Sequence, residues 1–143
     1  MKNIRSLFKI NIATYFLILS FLITGLIKNI IFIYLIIIVH ELGHILMIKK
    51  FNEKIIQVDI YPMGGITKVD KKINTKISEE LLIAISGIGA QIILGLIIFV
   101  IHNFNLISIN TYNLFCSYNK TILLFNMIPI IPLDGYIIVR SLL

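Results

Sequence analysis

Long apolar runs separated by short polar stretches organise this sequence. Four of them stand out, at residues 10–27, 30–48, 81–101 and 121–140. Each approaches the roughly 20 residues that an α-helix needs to cross the hydrocarbon core of a bilayer. Basic residues precede the first run, as in a signal peptide, but no small-residue cleavage motif ends it. We therefore expect an all-α polytopic membrane protein with about four transmembrane helices, forming one domain over residues 1–143.

The segment between the second and third runs is polar and follows a different period. Residues 56–60 and 66–70 alternate apolar and polar side chains around the turn-forming sequence Pro62-Met63-Gly64-Gly65, a pattern typical of a β-hairpin. We expect either a half-buried hairpin on the bilayer surface or an edge that binds substrate by strand addition. Seven lysines within residues 49–76 place this hairpin on the cytoplasmic side.

The third run is rich in small residues, and the fourth is interrupted. Six small side chains between Ala84 and Gly95 favour close helix packing, so we expect the third helix to be central. Gln91, at mid-span, is expected to form an interhelical hydrogen bond. Two prolines and Asp134 would break a plain helix in the fourth run, and such backbone is tolerated in a membrane where it lines a watery cavity. Residues 103–119 have no predicted shape.

Composition and charge agree with a membrane location. The chain is 58% hydrophobic and 14% charged, with a mean hydropathy of +0.97. The net charge of +6 comes from basic residues clustered between the apolar runs, not from a nucleic-acid-binding face. With both termini in the cytoplasm, all of the 13 basic residues except Lys28 and Lys120 fall on the cytoplasmic side. The single cysteine, Cys116, excludes an intrachain disulfide and a Cys-rich metal site.

The second run contains His40-Glu41-Leu42-Gly43-His44, an H-E-x-x-H motif among aliphatic residues. Positions i and i+4 share a helix face, so His40 and His44 can bind one metal ion. Glu41 then lies beside the metal, where it can take a proton from water. A chance match or a packed pair of core histidines is the simpler explanation. Ionisable groups are costly in hydrocarbon, however, and count as functional candidates.

Two histidines leave a zinc site in need of a third protein ligand, commonly a carboxylate. Asp134 is the only acidic residue other than Glu41 within an apolar run. It lies six residues before Arg140, and His44 lies five residues before Lys49. At 1.5 Å per residue, both lie about 8 to 9 Å from their basic anchors and therefore at a similar depth.

Two motifs together resemble the site-2 protease family of intramembrane zinc metalloproteases, peptidase family M50. They are the H-E-x-x-H segment and the N-x-x-P-x-x-P-L-D-G stretch at residues 126–135, and residues 61–65 are similar to the family's P-x-G-G segment. Their order and compactness are most similar to the sporulation subgroup. The chain departs from the family at Gly87–Gln91, where a G-P-x-x-N-like element is common, and at Tyr136, where the family often has glycine.

The resemblance implies zinc ligands at His40, His44 and Asp134, with Glu41 as general base and proton shuttle. It implies that Asn126 stabilises the oxyanion or holds the substrate backbone. The implied reaction is hydrolysis of a peptide bond in a membrane-spanning or membrane-associated protein, near the cytoplasmic face. A sporulation transcription-factor precursor is one candidate substrate. The implied partners are that substrate, the lipid bilayer and regulatory membrane proteins.

Two other functions remain open from the residues themselves. A membrane zincin that takes a downstream glutamate as its third ligand would use Glu79 or Glu80 in place of Asp134. A non-catalytic metal-binding membrane protein, such as a transporter or an inactive regulator, would keep the two histidines without needing Glu41. Substitution of each carboxylate separates these alternatives from the proteolytic one.

Overall fold

The computed structural model describes residues 8–62, 64–70 and 76–143. Its elements, in chain order, are β1 (Phe8–Ile10), α1 (Ile12–Ile23), α2 (Ile27–Lys50), β2 (Lys54–Tyr61), β3 (Gly64–Asp70), α3 (Ile77–Asn103), α4 (Ile109–Asn126) and α5 (Asp134–Leu142). The fold is therefore mostly helical with one small sheet. Part of the sequence interpretation lies outside the described residues, namely the N-terminal basic residues Lys2 and Arg5, the turn residue Met63, and the loop lysines Lys71 and Lys72.

Within the part of the chain that the structure describes, α2 and α3 are the helices long and apolar enough to cross a membrane. They have 24 and 27 residues, and their most apolar windows have mean hydropathies of 2.2 and 2.5. Glycine brings their backbones together: a Cβ at Gly43 would overlap the Ser86 carbonyl oxygen and approach Ala90 Cβ to 2.9 Å. The small residues of α3 therefore serve close helix packing, as expected.

The first apolar run forms a shorter helix than predicted. α1 has only 12 residues, and Asn11 caps it by accepting a hydrogen bond from the Ala13 N–H at 2.9 Å. Phe8–Ile10, ahead of the cap, are strand and not helix. At the other end, a turn with Gly25 at φ 72° separates α1 from α2. The prediction of one helix over residues 10–27 is therefore wrong at both ends.

The predicted hairpin is confirmed, and it belongs to a three-stranded sheet with the order β1-β2-β3. β2 and β3 are antiparallel, with Asp59 opposite Ile66 and Tyr61 opposite Gly64. β1 adds a parallel strand on the other side of β2. The sheet is also joined to α1, because Thr14 Oγ1 donates to the Ile60 carbonyl oxygen at 3.1 Å. This leaves β3 at an edge of the sheet.

The fourth apolar run is divided between two helices. α4 starts after Ser108, whose hydroxyl accepts from the Thr111 N–H, and it ends at Asn126. Residues 127–133, which include a cis Ile131–Pro132 peptide bond, connect it to α5. The single broken segment predicted over residues 121–140 is therefore wrong at its start. Most of α4 lies in the stretch that had no predicted shape.

Much of the exposed surface of this fold is apolar, and its interior contains polar as well as apolar side chains. Large aliphatic residues on the outer face of α3 are about half exposed, including Ile92, Ile93 and Leu96. The interior holds polar groups, among them Thr14, His40, Glu41, His44, Gln91 and Asn126. Soluble monomers rarely expose apolar surface of this extent, whereas a lipid-facing surface requires it.

Candidate active site

The structure brings the three predicted metal ligands together. His40 and His44 lie one turn apart on α2, and their Nε2 atoms are 3.0 Å from each other. Asp134, the first residue of α5, places Oδ2 3.0 Å from His40 Nε2 and 3.3 Å from His44 Nε2. The three side chains therefore converge on one point although α2 and α5 are distant in sequence.

Hydrogen bonds on the far side of each ring determine which nitrogen faces this point. His44 Nδ1 lies 2.8 Å from the Ile83 carbonyl oxygen, and His40 Nδ1 lies 3.2 Å from Gln91 Oε1. A carbonyl oxygen can only accept, so each ring carries a proton on Nδ1. In the neutral ring, Nε2 then presents a lone pair, which is the form of histidine that binds metal.

These three ligand atoms fit a metal ion. The two Nε2 lone pairs face Asp134 Oδ2, which is buried and has no hydrogen-bond donor among the described residues. Three acceptors 3.0 to 3.3 Å apart repel one another unless a cation lies between them. A tetrahedral zinc with bonds of about 2.0 to 2.1 Å would separate its ligand atoms by roughly 3.3 Å. The donor set and its spacing therefore match zinc.

Glu41 lies beside the ligands and under the sheet. The ligand atoms of His40, Glu41 and His44 are within 4.8 Å of one another. Thr67 Oγ1, from β3, donates to Glu41 Oε2 at 2.7 Å. Gly65 permits this approach, because a Cβ there would come within 2.5 Å of Glu41 Oε1. The hairpin thus holds the candidate general base, and sequence reasoning missed this contact.

A cavity of about 350 Å³ lies against these residues. Its lining includes the metal-ligand residues and Glu41, residues of β3, and Pro132 and Leu133 of the connection between α4 and α5. Asn126, the last residue of α4, is buried and lines the same cavity. The structure therefore places all five predicted site residues around one space that is large enough for a short peptide segment.

The start of α5 is fixed by close packing and by charge. A Cβ at Gly135 would overlap the Met127 carbonyl, so α5 lies directly on the turn that follows α4. Arg140 forms an ion pair with Glu80 at the start of α3. Both contacts hold Asp134 in place. The pair also engages Glu80, one of the alternative third ligands, with a cation other than a metal ion.

The site combines two histidines one helical turn apart, a carboxylate that converges on them and a neighbouring glutamate. This combination defines the class of metal-dependent hydrolases. The family model of peptidase family M50 matches residues 28–108, more than half of this chain. The chain belongs to this family. The matched residues include the H-E-x-x-H segment and the β2–β3 hairpin that covers Glu41.

Two curated relatives and one solved structure agree with that assignment. Stage IV sporulation protein FB of Bacillus subtilis is 35% identical over 80% of this chain, and a zinc metalloprotease of Methanocaldococcus jannaschii is 34% identical over 75%. The chain spans only 40% and 32% of the lengths of these relatives. The structure of a site-2 protease from Methanocaldococcus jannaschii superposes with a TM-score of 0.78 at 26% identity. That alignment covers 99% of this chain and 69% of that one.

Proposed function

We propose that this chain is an intramembrane zinc metalloprotease that hydrolyses a peptide bond of a membrane-spanning or membrane-associated protein. The observation that carries the proposal is the meeting of His40 Nε2, His44 Nε2 and Asp134 Oδ2 at 3.0 to 3.3 Å. The names of the similar zinc metalloprotease and site-2 protease support the same chemistry.

Each side chain has a distinct task in this reaction. His40, His44 and Asp134 would hold zinc, which when bound would acidify water and polarise the peptide carbonyl. Glu41 takes a proton from the attacking water and returns it to the leaving amine nitrogen. Thr67 holds the Glu41 carboxylate in one orientation by its hydrogen bond to Oε2. Because this hydrogen bond uses Oε2, the Oε1 atom of Glu41 remains available for the proton transfer.

Asn126 is proposed to act on the substrate and not on the metal. It lines the cavity from the end of α4, where its amide can donate to the developing oxyanion or to the substrate backbone. A helical peptide bond is shielded by its own hydrogen bonds, so the substrate must unwind first. The edge strand β3 can hold the unwound segment by strand addition, directly above Glu41.

The depth of the sheet supports a proposed membrane arrangement of four segments. β3 contacts Glu41, which lies nine residues before the cytoplasmic end of α2. The sheet therefore extends about 14 Å into the membrane, measured along α2 from that end. α1 starts at this sheet and needs to cover only the remaining depth, which its 12 residues do with about 18 Å. α2 and α3 span fully, and α4 with α5 forms the fourth segment. The termini then lie in the cytoplasm.

The proposed substrate site is tested by mapping cleavage products. Membranes that contain this protein or its Glu41→Gln variant are compared by mass spectrometry of new protein N-termini. We expect the wild type alone to produce termini within the cytoplasmic half of membrane segments. Similarity to a sporulation protein makes precursors of sporulation transcription factors the first substrates to include. Termini at the opposite face, or equal products from Glu41→Gln, would contradict the proposal.

The identity of the third ligand has a separate test. Asp134→Asn is expected to lose zinc and proteolysis, whereas a combined Glu79→Gln/Glu80→Gln variant is expected to keep both. The reason is geometric, because Asp134 Oδ2 lies within 3.3 Å of both histidines and Glu80 pairs with Arg140. The opposite result would identify a zincin with a downstream glutamate ligand. If Glu41→Gln left the biological activity of the protein unchanged, a non-catalytic metal-binding protein would be favoured.

A further inference from the structure

A buried hydrogen-bond chain connects α4 to the candidate metal ligand His40 through a single side chain of α3. Gln91 has none of its surface exposed. Its Nε2 donates to the Asn119 carbonyl oxygen of α4 at 3.2 Å, and its Oε1 lies 3.2 Å from His40 Nδ1. The chain runs across three helices and ends at a residue of the site.

The groups at the two ends of this hydrogen-bond chain determine which atom donates in each bond. The Asn119 carbonyl oxygen can only accept, so the Gln91 NH₂ group must face α4 and the amide oxygen must face His40. An amide oxygen is also only an acceptor, and therefore the proton of the His40 ring is on Nδ1. In the neutral ring, Nε2 of His40 then has a lone pair directed at Asp134 Oδ2, 3.0 Å away.

We propose that Gln91 is a positioning residue that fixes the tautomer and the ring orientation of His40 for metal binding. The inference rests on the proposed function, because it assigns a role toward the same zinc site. Gln91 cannot touch substrate, since it is fully buried and does not line the cavity. It acts through His40 alone. Partners of this kind typically change metal affinity 10- to 100-fold when removed.

His44 shows why Gln91 is the informative position. Its Nδ1 is held by the Ile83 backbone carbonyl, which no side-chain substitution removes. The equivalent hydrogen bond to His40 depends on one replaceable amide. A variant protein that lacks the Gln91 amide should therefore keep His44 in place and lose the alignment of His40. Zinc would then be bound by fewer well-placed ligands.

The test measures zinc affinity of the purified full chain in lipid nanodiscs by competition with a chelator. Gln91→Met keeps the length and volume of the side chain but removes the acceptor, and we expect zinc affinity to fall by about 10- to 100-fold. Gln91→Glu keeps an acceptor for Nδ1–H and, as a buried neutral acid, can still donate to the Asn119 carbonyl oxygen, so zinc affinity should stay within about threefold of the wild type. Asn29→Leu is the matched control, because it removes a different interhelical hydrogen bond, from Asn29 of α2 to Tyr118 Oη of α4 at 2.5 Å, without touching His40.

The outcomes separate this inference from the proposed function. A wild type that fails to bind zinc overturns the proposed function itself. A wild type that binds zinc, with Gln91→Met equal to it, overturns only the role of Gln91. Equal losses in Gln91→Met and Asn29→Leu also overturn it, because they would reflect general loosening of the bundle.

A measurement on the unaltered protein decides the question if Gln91→Met does not fold. In the zinc-loaded wild type labelled with ¹⁵N-histidine, NMR should show His40 with a protonated Nδ1 and a metal-bound Nε2. Metal on Nδ1 of His40, or no proton on that nitrogen, would overturn the inference.

Discussion

Gly87 lies on α3 where this helix passes the two histidines, and an added methyl group there is the most local perturbation of the site. An alanine Cβ would lie 2.5 Å from His44 Nε2 and 2.8 Å from His40 Cε1. Non-bonded carbon atoms prefer separations of about 3.5 to 4.0 Å. The His44 ring must therefore move by about 1 Å, which breaks its hydrogen bond to the Ile83 carbonyl oxygen or shifts α3 from α2.

The expected loss is one of metal binding more than of folding. Overpacking costs about 1 to 3 kcal/mol, and replacing glycine by alanine in a helix returns about 0.5 to 1 kcal/mol. Metal–ligand distances, by contrast, tolerate deviations of only about 0.2 Å. A displacement of 1 Å at one ligand should thus abolish stoichiometric zinc binding and proteolysis in Gly87→Ala while the chain still folds.

Gly89→Ala is the matched control on the same helix. No described atom lies within 4 Å of a Cβ at Gly89, so this variant should bind one zinc and unfold at or above the wild-type temperature. Zinc content is measured by elemental analysis of purified protein, and stability by thermal unfolding in the same detergent. If Gly87→Ala retained zinc as well as Gly89→Ala does, the ligand geometry described above would be refuted.

The remaining predictions concern the groups around the ligands. Thr67→Val removes the hydroxyl that donates to Glu41, so turnover should fall by tenfold or more while zinc content, by elemental analysis, stays at the wild-type level; unchanged turnover would exclude a role for Thr67. Gly135→Ala should destabilise the chain by about 1 to 3 kcal/mol in thermal unfolding, since its Cβ would meet rigid backbone; an unchanged midpoint would contradict this. The Lys68 ammonium group lowers the pKa of Asp59. This ion pair therefore stabilises the sheet fully at a pH above the ordinary aspartate pKa. The stabilisation is lost as the pH falls through the lowered pKa of the folded state. The stability difference between wild type and Asp59→Asn should therefore vanish in acid, and a difference independent of pH would argue against the pair.

Local periodicity accounts for the parts of the site that the sequence revealed. The i, i+4 spacing of a helix is enough to put His40 and His44 on one face with Glu41 beside them. Alternation with a central turn is enough for the hairpin. Asp134 required an argument from depth, and its position against the histidines agrees with that argument.

Contacts between distant segments account for what the sequence did not reveal. β1 is three residues long and pairs with a strand about 50 positions later, so no local pattern marks it. α4 carries polar groups because it hydrogen-bonds its neighbours, as Tyr118 does with Asn29, and this hides its helical period. The interhelical hydrogen bond expected of Gln91 is confirmed, but its partner His40, like the contact of Thr67 with Glu41, is defined only once the helices and the sheet are packed.

The central claim is that His40, His44 and Asp134 bind one zinc ion, and determination of the zinc coordination is its most direct test. X-ray absorption spectroscopy of the purified, zinc-loaded chain, with Asp134→Asn measured alongside, identifies the ligand atoms. The proposed site predicts one zinc per chain, bound by two imidazole nitrogens and one carboxylate oxygen, with the carboxylate contribution lost in Asp134→Asn. Absence of bound zinc, or the same carboxylate contribution in Asp134→Asn, would contradict it.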